Sequence, residues 1–194
     1  MHIFIMAVNK LKIKFLLLII FEGWGCAYRS FQTIFSWFVL NGFSSILSIP
    51  TINEIQQCLV DIGDKPSSIV NSSNWIGSIE IGMVLEKLLG LKYRIIQIYP
   101  GQSISEYIRH IMIHFKQNVS PIMIGGNNLA HTILGVAFDS NTGKCKFLVA
   151  DPHYFGEDDL EIIISKGWVS WKNENFWKRD QSYNIILPCI EENQ

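Results

Sequence analysis

No C-x-x-C pair occurs anywhere in the 194 residues. The four cysteines, Cys26, Cys58, Cys145 and Cys189, are scattered, which disfavours both a disulfide framework and a cysteine-based zinc site. Charge of one sign is also missing. Lys+Arg number 16 against 17 Asp+Glu, so the chain has no basic field for phosphates and nucleic acid is not expected as a partner. Charged residues are only 17% and hydrophobic ones 48%, which argues against disorder and for a buried core. The apolar run at 15–21, behind Lys10, Lys12 and Lys14, falls far short of the ~20 residues a membrane-spanning helix needs. No A-x-A-like cleavage site follows it, so a signal or anchor is the less favoured reading. A buried strand, or a segment foreign to the native protein, stays open for 1–22. No repeat, linker or low-complexity stretch breaks the remainder, and no tyrosine precedes Tyr28.

The chain does contain a cysteine framed for chemistry. Gly23-Trp24-Gly25-Cys26 leads into apolar positions Ala27, Phe31, Ile34, Phe35 and Phe38, the spacing of a helix with one buried face. Cys26 then stands at that helix's N-terminus. Unpaired N–H groups and the positive dipole end favour a thiolate there and can hold an oxyanion. Downstream, Asp151-Pro152-His153 places an acid and an imidazole at i, i+2. On an extended strand both would share one face, one as base and the other as its orienter. His131, opening an apolar strand after a glycine pair, competes with His153 as base. His110 and His114 lack the glutamate and third ligand of a zinc motif and read as a solvated or partly buried face.

Further spacing sets the architecture. Thr51-x-x-Glu54 and Ser103-x-x-Glu106 are capping boxes opening helices near 52–62 and 104–117. A helix at 78–89 stops at Gly90. Strands are expected at 92–99, 120–124, 131–138 and 145–150, with Asp139–Gly143 as a hairpin turn. Helices precede strands, which predicts an α+β fold around a central, mainly antiparallel sheet.

The blocks GWGCAYRSFQTIFSW, WIGSIEIGMVLEKLLG, PIMIGG with LAHTILGVAFD, and FLVADPHYFGEDDL resemble the ubiquitin-fold-modifier-specific cysteine proteases. The likeness is greatest to the catalytic domain of the longer, two-domain member and spans about 23–188. It implies a papain-like protease domain over 23–190 and a triad of Cys26, Asp151 and His153, with no metal or organic cofactor. It also implies cleavage after the modifier's C-terminal glycine, from its precursor and from protein conjugates. The expected setting is cytoplasmic, with recruitment to the endoplasmic reticulum surface by a partner protein left open. Trp75 and His131 are candidates for a narrow substrate groove. Cys58, Cys145 and Cys189 are expected to be inert, and Trp168, Trp171 and Trp177 to be packing residues. The family carries an oxyanion tyrosine upstream of GWGC, and this chain has none there. Loss of one such donor costs about 10²–10³ in rate, so slow turnover is expected. Two alternatives remain: a catalytically weak modifier-binding module, and a protease for an autophagy-type modifier.

Overall fold

The computed structural model describes residues 3–7 (backbone), 23–44, 48–154, 156 and 159–190. The apolar run 15–21 lies outside them. Helix α1 (Cys26–Leu40) carries the expected stripe, but it is buried almost all round, including Ser30, Gln32, Thr33 and Ser36. The reason is position. It packs on two strands of the sheet and also against a second helix, so it has no wet face.

Helix α2 (Ile52–Asp61) starts where the capping box requires: Glu54 N–H donates to Thr51 Oγ1, and Thr51 N–H donates to Glu54 Oε2 at 2.7 Å. Helix α3 (Ser78–Leu89) ends at Gly90, whose φ of 68° is the left-handed cap that lets its N–H reach Glu86 O. The Ser103 box also forms, yet it opens a 3-10 turn, Ile104–Tyr107, before helix α4 (Ile108–Gln117). A short helix α5 (Leu160–Ser165), capped by Asp159, was not foreseen.

The strands are β1 (Ile3–Ala7), β2 (Lys92–Ile98), β3 (Ile122–Gly126), β4 (Leu129–Asp139), β5 (Cys145–Ala150), β6 (Val169–Asn173) and β7 (Tyr183–Cys189). They form one sheet ordered β2-β7-β3-β4-β5-β6, antiparallel at every pairing. β3 pairs with the first half of β4, and β1 takes over the same edge from Gly135 to Asp139. The N-terminal segment thus contributes a strand, at Ile3–Ala7 and so ahead of the apolar run for which a buried strand was one reading.

β3 and β4 are joined by Asn127 and Asn128, with φ of 45° and 65°, the two-residue turn whose twist suits a hairpin. Gly126 must be glycine, because a Cβ there would overlap the Ser182 carbonyl oxygen. The sheet is thus an antiparallel α+β layer with α1 at its centre, and both the start of α1 and the end of β5 are free to carry chemistry.

Candidate active site

Cys26 is the first residue of α1, preceded by Gly25, which offers no side-chain cap. The turn into the helix uses Gly23 at φ 75°, a conformation other residues rarely adopt. With no capping side chain among the described residues, the first-turn N–H groups can receive an anion. Cys26 is only 4% exposed and forms part of a cleft of about 180 Å³ walled by Trp75–Gly77 on one side and by Met123 and Gly125–Ala130 on the other.

The Asp-Pro-His box lies just past β5, and its geometry differs from the extended strand expected. Residues 152–153 form a turn. Asp151 Oδ1 accepts from both His153 N–H (3.0 Å) and His153 Nδ1–H (2.7 Å), so the acid holds the backbone and the ring at once. The Asp151 N–H donates to Trp168 O across the adjoining connection. With Nδ1 committed to Asp151, the other ring nitrogen is left for Cys26, whose side chain interacts with the imidazole.

Electrostatics follow from these contacts. The Asp151 hydrogen bond, then the Cys26 contact, raise the His153 pKa to about 10 against the opposing effect of burial. Burial pushes the Asp151 carboxyl up, but hydrogen bonds from the His153 ring and backbone outweigh it and hold the carboxyl below its ordinary value. The imidazolium is therefore the stable form beside the thiol. Such a site can attack a carbonyl through sulfur and deliver a proton to a leaving amine.

His131 lies beside this pair but is not part of the cleft lining. It is 4% exposed, with its ring centroid 5.9 Å from that of His153 and 5.0 Å from Phe176. Its Nδ1 has no hydrogen-bond partner among the described residues, and burial pushes its pKa down to about 4. Of the two groove candidates, Trp75 lines the cleft, whereas His131 is buried on β4 beside His153 and outside that lining. His131, Asp151 and His153 also bring ligand atoms within 4.8 Å of one another, the spacing a metal could use, but an ion there would have to displace the proton joining Asp151 to His153.

Other expectations resolve by burial. His114 is wholly buried, hydrogen bonded to Ser120 and pushed to about 4 by desolvation, whereas His110, one turn earlier on α4, is exposed. All four cysteines are free. Burial, then Glu174, pushes the Cys145 thiol up to about 12, and burial also raises Cys58, so neither favours a thiolate. Trp177 is buried against Phe147, whereas Trp171 stays exposed. Gln32 donates to Pro50 O at 2.7 Å and supports the fold. The Tyr28 hydroxyl is buried and spent on Asn74 O, which removes it as an oxyanion donor. The stretch just before Gly23, where the resemblance puts the oxyanion tyrosine, lies outside the described residues. The cleft's Asn127–Ala130 wall was missed. The Asn-Asn dipeptide was its signal, since it favours a left-handed turn.

Comparison with known proteins places the chain in a family. A Ufm1-specific protease of Caenorhabditis elegans is 54% identical over 167 residues, 86% of this chain and 28% of that protein. Ufm1-specific protease 2 of Homo sapiens is 52% identical over 86% of this chain and 35% of that protein. The crystal structure of UfSP from C. elegans superposes with a TM-score of 0.83 at 45% identity, covering 98% of this chain and 35% of that one. The fold is papain-like α+β. The chain spans about a third of the length of these relatives. The profile of Peptidase family C78 matches residues 18–186, and the chain belongs to that family.

Proposed function

We propose that this chain is a thiol protease that cleaves after the C-terminal glycine of the ubiquitin-fold modifier, maturing its precursor and releasing it from target lysines. Residues 23–190 form the protease domain. The carrying observation is the imidazole of His153 hydrogen bonded to Asp151 through Nδ1 and lying beside Cys26. The names of the relatives support the modifier as substrate. Cys26 Sγ attacks the glycyl carbonyl, and the sulfur–carbon bond forms as the carbonyl electrons move to oxygen. N–H groups at the start of α1 face the oxyanion. As the intermediate collapses, His153 gives its proton to the leaving amine, and the C–N bond breaks to leave a thioester. The now neutral imidazole takes a proton from water as the water oxygen adds to the thioester carbonyl, and the C–S bond then breaks, freeing the modifier's carboxyl group and returning Cys26 as thiolate beside the imidazolium. Asp151 keeps Nδ1 protonated throughout, so the other nitrogen faces sulfur. The same reading puts the work in a reducing compartment, the cytosol, with a partner protein as the route to the endoplasmic reticulum surface.

A modifier carrying an electrophile in place of its terminal glycine carboxylate tests this. Covalent capture at Cys26 is expected. Reversible binding without capture would favour a binding module instead.

The raised pKa of His153 makes a second prediction. The imidazolium persists below its folded value and is lost as pH rises through it, so acylation should hold well above neutrality and fall only toward pH 10. In Asp151→Asn, which removes the largest cause of the shift, the falling limb should move down toward 6.5. A limb already centred near 6.5 in the parent would show that the Asp151–His153 pair does not govern the reaction.

A further inference from the structure

The cleft wall opposite the β3–β4 hairpin is made of irregular chain. Residues 70–77 contain neither helix nor strand, yet they carry Trp75, 45% exposed, along with Ile76 and Gly77, against Cys26. Such a segment would wander unless something held its backbone. Two buried side chains do. Gln56, on α2, is 0% exposed and its amide is fully used: Nε2 donates to Ser72 O (3.0 Å) and to Tyr28 Oη (3.2 Å), while Oε1 accepts from Asn71 N–H (3.0 Å). The Ser72 carbonyl can only accept and the Asn71 amide can only donate, so the orientation of the Gln56 amide follows. Tyr28, two residues past Cys26 on α1, is also 0% exposed and donates to Asn74 O at 3.0 Å. Asn71 is left-handed at φ 63°, which turns the chain toward Gln56. At the other end Gly77 N–H donates to Glu80 Oε2, and Lys65 Nζ holds Glu80 Oε1 at 2.7 Å.

Among the described residues, every side-chain hydrogen bond of this Gln56–Tyr28 pair is either internal to it or made to the backbone of 71–74. A buried amide is costly unless all its groups are paired, and an apolar pair would fill the same space without that demand. What an apolar pair could not do is set the position of three backbone groups in a segment without secondary structure.

We propose that Tyr28 and Gln56 are positioning residues that set the cleft wall bearing Trp75 in register with Cys26, so that they govern capture of the substrate's tail and not the reactivity of the thiol. The proposal rests on the protease reading above for its substrate, and on the hydrogen bonds alone for the wall.

The test uses Tyr28→Phe, Gln56→Met and the double variant of the full chain, with three measurements on each. These are KM and kcat on a modifier precursor, the rate of Cys26 alkylation by iodoacetamide, and amide hydrogen exchange across 71–77. Expected are a KM raised about tenfold in each single variant, with less than additive loss in the double because the two share a bond. Exchange across 71–77 should quicken, while alkylation keeps its parent rate. Unchanged KM with unchanged exchange would overturn the proposal. So would alkylation slowing in step with kcat, since the pair would then be supporting α1 itself. If Gln56→Met fails to fold, Tyr28→Phe alone decides, as it removes one oxygen and keeps the ring. A parent that never cleaves the modifier refutes the function, while the exchange measurement still judges the wall.

Discussion

Cys26→Ala is expected to bring turnover of a modifier precursor to background while leaving the fold in place. Removal of a nucleophile in a comparable hydrolase loses about 10⁶ in kcat, roughly 8 kcal/mol of transition-state stabilisation. The structure explains why no neighbour can stand in. Cys26 is the cysteine in contact with His153, whereas Cys145 and Cys58 are buried elsewhere, with thiols raised above their ordinary values. The α1 N-terminus is held by backbone, with Arg29 N–H donating to Gly25 O, so losing one sulfur should shift thermal stability little. Purified Cys26→Ala protein with measurable turnover, free of contaminating protease, would end the assignment.

The second large effect separates two histidines whose ring centroids lie 5.9 Å apart. His153→Ala should lose about 10⁴-fold or more in kcat/KM, because it removes both the base for sulfur and the acid for the leaving amine. His131→Gln should retain turnover within about tenfold of the parent once folded protein is counted. His131 is buried between His153, Phe176 and Trp177, and burial keeps it neutral, so it has no proton to give at working pH. Its loss acts through packing, which for a buried ring costs about 1–3 kcal/mol of stability. Matched measurements of kcat/KM and of unfolding midpoint separate the two effects. A greater catalytic loss at His131 than at His153, at equal folded fraction, would reverse their roles.

Some of this was legible because it depends on neighbours a few residues apart. The boxes at Thr51 and Ser103, the Gly90 stop and the Asp139–Gly143 turn close hydrogen-bonded rings within one or two turns of chain, so spacing alone encodes them. Asp151 and His153 belong to the same class. Their contact was legible, although its form was not: with Pro152 between them, the acid closes a turn on the following amide in place of lying along a strand. The Ser103 box opens a 3-10 turn and α4 begins four residues later than the spacing predicts, because the box pairs only the first N–H groups and leaves the type of turn unspecified.

A thiol at a helix start, an acid and an imidazole two residues apart, and helices packed on an antiparallel sheet can all be read from residue spacing. Which imidazole meets the thiol depends on long-range packing. His131 and His153 are both near, and the inward turn of β4 buries one while the end of β5 delivers the other to Cys26. It also decided that α1 has no wet face, that His114 is sealed in the interior, and that Gln56 and Tyr28 hold the wall carrying Trp75. These outcomes rest on contacts between segments far apart in the chain. Their energies arise from burial and from pairing every buried polar group, which no local spacing records.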